Sequence, residues 1–154
     1  MEKFKSTKLF DGYSACFRQW RADGTHCKFL HGYAVSFRVW FEGELDYRNW
    51  VYDFGGMKRA KTTIHGMSPK EFFDHMLDHT TIVAKDDPYL ETFQKMDVDG
   101  IIQLRLMDSV GCEQFAKYLY EIINHFLDQE TVGRVKAVKV EVYEHERNSA
   151  SYGE

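Results

Sequence analysis

Proline is scarce in this 154-residue chain, with two in all, and cysteine occurs three times, at Cys16, Cys27 and Cys112. An odd number of thiols at uneven spacing excludes a disulfide framework and fits a reducing compartment. No basic segment followed by an apolar run opens the sequence, so a cytoplasmic protein is expected. Long apolar runs are also missing, because Arg38, Lys58, Arg105 and Lys139 interrupt the candidates before membrane-spanning length, and no membrane partner is expected. A formal net charge of −4 leaves no basic field for a phosphate backbone, which removes nucleic acid as an expected partner. Repeats, linkers and low-complexity tracts are absent as well, so residues 1–154 read as one domain.

Aromatic residues are abundant instead, at 16% of the chain. Such surface fills cores, stacks flat rings or covers subunit contacts. Thr7 to Arg18 reads as a strand with Leu9, Tyr13, Ala15 and Phe17 on one face and Phe10, Ser14 and Cys16 on the other. From His31 to Phe41 a two-residue period places His31, Tyr33, Val35, Phe37, Val39 and Phe41 together. A short helical stretch is expected around Met57 to Thr63. Ser68-Pro69-Lys70-Glu71 is a capping box with proline in the first turn, predicting a helix from Pro69 to about Leu77. Ile101 to Met107 reads as a strand, followed by a helix capped by Asp108 or Ser109. Its Phe115, Leu119, Ile122, Ile123 and Phe126 form one apolar stripe. Val135 to Glu144 closes the pattern, with Val138, Val140, Val142 and Glu144 on a shared face. The order predicts an α+β fold, a four-stranded antiparallel sheet with helices on one face, whose exposed edges suit assembly into a homo-oligomer.

Three places carry chemistry-bearing residues. Cys27 lies in a loop between His26 and Lys28, where positive neighbours favour thiolate, although a buried structural cysteine is an equal reading. Asp78-His79 follows the capped helix directly; an Asp can orient a His for proton transfer, or the pair can simply end a solvated helix. Glu144 continues a valine face, so its carboxylate needs a partner, a ligand or a position at the rim. The 2-amino and N3 edge of a pterin would supply two donors to it. Asp53-Phe54 reads as a helix entry, His65, His75 and His125 lack paired ligand spacing, and Cys112-Glu113 opens the long helix.

In chain order these pieces resemble the 6-pyruvoyl- and 6-carboxy-tetrahydropterin synthase family over nearly the whole sequence. That family runs from a strand with a zinc-binding histidine, through a loop cysteine, to Leu-His-Gly-His. Here stand Ser14-Ala15-Cys16, Cys27, and Leu30-His31-Gly32-Tyr33. An Asp-Phe pair, an Asp-His pair, a Pro-Thr-X-Glu helix entry and a strand glutamate followed eight residues on by tyrosine correspond to Asp53-Phe54, Asp78-His79, Val110-Gly111-Cys112-Glu113 and Glu144 with Tyr152. The resemblance implies a tunnelling fold, in which sheets from several subunits close a barrel, with active sites between subunits of a hexamer. It implies a zinc lyase that converts 7,8-dihydroneopterin triphosphate to 6-carboxy-tetrahydropterin, acetaldehyde and triphosphate, in queuosine and other deazapurine synthesis. Carried over, Cys27 is the base, Asp78 and His79 its relay, and Glu144 the pterin anchor. The metal would fall to His31 and Cys16, with Tyr33 at the third ligand position and His26 as a substitute from the loop. The alternative is a metal-free pterin- or purine-binding relative with altered or no catalysis; a purely partner-binding domain explains the ordered motifs least well.

Overall fold

The computed structural model describes residues 2–154. Among them run β1 (Phe4–Phe17), a 3-10 turn (His26–Lys28), β2 (His31–Gly43), α1 (Gly56–Arg59), α2 (Pro69–Leu77), β3 (Thr80–Ala84), α3 (Leu90–Val98), β4 (Leu104–Met107), α4 (Cys112–Glu130), β5 (Val135–His145) and β6 (Asn148–Gly153). No helix is long and apolar enough to cross a membrane among the described residues.

The sheet has six strands in the order β4-β3-β1-β2-β5-β6, where the sequence predicts four. It is mixed, because β3 pairs parallel to both β1 and β4 while the other pairings are antiparallel. The unforeseen elements are those with the weakest periodicity. All five residues of β3 are buried, so no alternation betrays it, and β6 is a largely exposed edge rich in small polar residues. Helix α3 buries only Phe93 and therefore lacks an apolar stripe.

Two other differences have local causes. The register of β1 slips between Phe10 and Tyr13, where Gly12 sits at φ 86°. This bulge turns Phe10 into the core beside Tyr13, Ala15 and Phe17 and leaves Leu9 exposed, the reverse of a strict alternation. Helix α4 starts at Cys112 rather than after Asp108 or Ser109, because Gly111 takes the N-cap position at φ 132°, a backbone shape that side chains avoid.

The capped helix forms as its sequence dictates. Ser68 accepts a hydrogen bond from the Glu71 amide at 3.3 Å, and α2 runs over Pro69–Leu77. Phe73 from α2 meets Phe10 and Phe37 edge-on, with centroids 5.2 and 5.0 Å away, and Phe115 from α4 meets Phe17 at 4.9 Å. Both helices therefore cover the same face of the β1–β2 pair. Fully burying each such ring contributes about 1.5–3 kcal/mol. Asn124 of α4 locks the helix to β5, donating to the Ala137 carbonyl at 2.9 Å and accepting from the Ala137 amide at 2.8 Å. The pairing of β2 with β5 slips at this point, between Trp40 and Phe41, so a side chain supplies what the ladder cannot.

Candidate functional site

The helix-covered face continues past the core to the ends of three strands. There Phe17 lies directly opposite His31 in the β1–β2 register, and Ala15 opposite Tyr33. Residues two apart share a face, so Phe17, His31 and Tyr33 project together. Phe17 and Tyr33 stack with centroids 4.1 Å apart at 13°, and Tyr33 tilts against His31 at 4.4 Å.

Glu144 reaches the same place from β5. The β5–β6 register slips between Tyr143 and His145, making Glu144 a bulge residue whose side chain is 23% exposed. Asn148 donates to its Oε1 at 2.9 Å and His145 Nε2 lies 3.7 Å from the same oxygen, which leaves Oε2 without a hydrogen bond among the described residues. A half-buried carboxylate with a free oxygen at the end of an apolar strand face is a seat for donors.

The electrostatics tie the remaining members together. Burial pushes the Tyr33 phenol up to about 12, and the nearby Glu144 carboxylate adds to it. Burial likewise pushes the Cys112 thiol up to about 12, with Glu144 and Glu113 adding to it. Tyr33 and Cys112 therefore stay protonated at neutral pH beside Glu144. The sequence marks Cys112, at the start of α4, only as a helix opening.

Cys27 sits half-buried in the 3-10 turn, whose amide is capped by Thr25 Oγ1 at 3.2 Å. Two residues unrecognised in the sequence hold this turn in place. Arg18, next to Phe17, makes a two-pronged ion pair with buried Asp87 at 2.9 and 2.6 Å and also reaches the Lys28 carbonyl at 3.4 Å. The Gln19 amide donates to the Cys27 carbonyl at 2.8 Å. Burial works against charge on Asp87, but Arg18 and the Tyr89 amide outweigh it and hold the carboxyl below its usual range.

Three expected members lie elsewhere. Cys16 pairs with Gly32 and so projects from the face opposite His31 and Tyr33, where it lines a cavity of about 350 Å³ with Ser14, His79 and Thr81. Burial raises its thiol pKa, opposed by a hydrogen bond with Thr81. Asp78 and His79 border that second face too. Asp78 accepts the Ser14 amide at 3.0 Å, the His79 amide donates to the Ser14 carbonyl at 2.6 Å, and His79 Nδ1 lies 3.1 Å from Asp78. The Ser14 amide, followed by His79, holds the Asp78 carboxyl below its usual range. His79 adopts φ 57°, an uncommon shape for a non-glycine residue, and its ring is 78% exposed. Within one chain, the structure brings together Cys27, Tyr33, His31, Cys112 and Glu144, but not the Asp78-His79 pair with Cys27.

The donor set at the family's metal positions does not suit zinc. Zinc takes convergent imidazole, thiolate or carboxylate ligands, three of them in a catalytic site. Of the positions the resemblance assigns, Cys16 projects from the face opposite His31, and Tyr33 offers a phenol, a poor zinc ligand. His31 Nδ1 lies 2.8 Å from the Phe29 carbonyl, leaving one ring nitrogen free. Among the described residues no three His, Cys, Asp or Glu side chains are grouped so as to hold a metal ion.

The architecture defines the class, an α+β protein of the tunnelling fold. Residues 7–154 match the family described as 6-pyruvoyl tetrahydropterin synthase, and the chain belongs to that family. Solved structures agree in fold. An uncharacterized protein from Wolinella succinogenes aligns over 99% of this chain and 99% of its own, with a TM-score of 0.80 at 21% identity. The 6-pyruvoyl tetrahydropterin synthase of Caenorhabditis elegans aligns over 100% of this chain and 97% of its own (TM-score 0.63, 18% identity). That of Plasmodium vivax covers 98% of each chain (TM-score 0.65, 12% identity). No curated protein sequence matches the chain significantly.

Proposed function

We propose that this protein binds a 7,8-dihydropterin with the ring's 2-amino and N3 edge on Glu144, and that Cys27 removes a proton from the bound side chain. The observation that carries this reading is the free carboxylate oxygen of Glu144 within a cluster where Tyr33 and Cys112 stay neutral. A carboxylate oxygen beside neutral hydroxyl and thiol groups favours a ligand edge made of donors. Family membership supports a pterin-synthase-like activity, and 7,8-dihydroneopterin triphosphate is the substrate that the sequence resemblance implies. Its product would be 6-carboxy-tetrahydropterin, a precursor on the queuosine route.

Asp78 and His79 face away from Cys27 in their own chain. For them to relay its proton, the pair must come from another copy, so a homo-oligomer with sites between subunits, a hexamer by resemblance, belongs to the proposal. The donor set favours a second reading for the reaction itself: a pterin- or purine-binding relative that does not turn over the triphosphate, because zinc-assisted polarisation of the side-chain hydroxyls lacks ligands.

One experiment separates the two. Wild type and Cys27→Ser are incubated with 7,8-dihydroneopterin triphosphate, with and without zinc, and products are resolved by fluorescence-detected chromatography alongside binding calorimetry. Turnover in wild type, lost in Cys27→Ser with binding retained, supports the lyase. Binding without turnover in both supports the second reading, and absence of any pterin or purine binding by the folded oligomer refutes both.

A further inference from the structure

We infer that the family's metal positions are converted in this chain into an aromatic stack, Phe17, Tyr33 and His31, that fills the zinc volume and makes the protein metal-independent. The inference deepens the proposed pterin site and rests on its location, but its test reads metal rather than pterin, so either can fail alone.

Strand register assigns the positions. Two of the family's ligands lie two residues apart on one strand, where His31 and Tyr33 stand. The third must come from the neighbouring strand on the same face. Sequence alone suggests Cys16, since it follows Ser14-Ala15. The structure points instead to Phe17, which faces His31 across the β1–β2 pair, whereas Cys16 faces Gly32 on the other side of the sheet. A one-residue shift in a strand exchanges faces, so the two assignments are mutually exclusive.

The stack leaves no room between its members. Phe17 and Tyr33 are in ring contact at 4.1 Å, Tyr33 and His31 at 4.4 Å, and Phe17 is 1% exposed against Phe115. A zinc held at about 2 Å by three nitrogens would have to occupy the centre of that contact. His26, the possible substitute from the loop, turns toward Phe29 instead, with ring centroids 6.4 Å apart. The three aromatic side chains thus do for the strand ends what a bound metal would do, holding β1 and β2 together beneath Glu144.

Zinc content is measured by elemental analysis in wild type, in Tyr33→His and in Phe17→His/Tyr33→His, each purified with zinc present and dialysed. Cobalt substitution then reports coordination through its visible absorption. Wild type is expected to retain essentially no metal and to show no thermal shift with zinc. The double variant is expected to retain about one zinc per chain and to give the intense cobalt bands of a tetrahedral site. Stoichiometric zinc in wild type overturns the inference. So does a folded double variant that takes up none, because the positions would then be misassigned. Should burial of an imidazole at position 17 prevent folding, the wild-type measurement still decides, and Tyr33→His provides a second reading: it should bind zinc weakly, two histidines being too few, and strong binding by it would show that Phe17 is not the missing ligand position.

Discussion

Replacing Arg18 by alanine removes the partner of a carboxylate that water cannot reach. Asp87 is 2% exposed in its side chain and Arg18 19%, and their contact is two-pronged, with the guanidinium also 5.3 Å from the Tyr89 ring centroid. Breaking one side of such a buried pair costs about 3–5 kcal/mol, far above the value of a surface pair. We expect the lower end, about 3 kcal/mol, since Asp87 keeps its hydrogen bond from the Tyr89 amide. For a chain of this length that lowers Tm by roughly 6–12 °C. The pH dependence follows from the sign of the shift. In wild type the Asp87 carboxyl is held below its ordinary value, so its contribution is full above about pH 4 and fades as pH falls through the folded value. In Arg18→Ala burial is opposed only by the Tyr89 amide and the carboxyl rises, so the penalty is full at neutral pH and fades as the group takes up a proton. The gap between the two proteins should therefore narrow from pH 7 to pH 4. Arg18→Ala/Asp87→Asn, which removes the stranded charge, should recover most of the loss. Urea unfolding across that pH range is the assay; a deficit below about 1 kcal/mol, or one independent of pH, refutes the reasoning. Because Arg18 also holds the Lys28 carbonyl, Cys27 should react faster with a thiol reagent in Arg18→Ala than in wild type.

Two further expectations concern stability. Asn124→Leu strands both backbone groups of Ala137 at the slip in β5 and should cost about 2–4 kcal/mol in denaturant unfolding, whereas a neutral result would mean that water replaces the side chain. Ser68→Ala removes the cap of α2 and should cost about 1 kcal/mol, with Ser68→Asp close to wild type; equal losses in both would argue against capping.

Where one residue dictates local geometry, the sequence was readable. The Ser68-Pro69 start of α2 and the alternating residues of β2 appear as expected, because a cap and a half-buried face leave direct marks in the residue order. The valine face of β5 led to Glu144 at its end for the same reason. Legibility failed where tertiary context decides. Buried on every side, β3 shows no alternation, and the Gly12 bulge reverses which of Leu9 and Phe10 enters the core. The same dependence on register separates Phe17 from Cys16, neighbours in sequence whose faces only strand pairing assigns. Arg18 and Asp87 were invisible for a different reason: charged residues far apart in the chain give no hint of an ion pair.

The central claim is that Glu144 anchors a pterin ring, and titration calorimetry of 7,8-dihydroneopterin into wild type and Glu144→Gln tests it most directly. The glutamine keeps size and one acceptor but presents an amide donor to a donor edge, forfeiting charge-assisted hydrogen bonds worth about 3 kcal/mol. The account predicts a dissociation constant roughly 100-fold weaker in Glu144→Gln, with thermal stability near that of wild type. Equal affinity in the two proteins would contradict it.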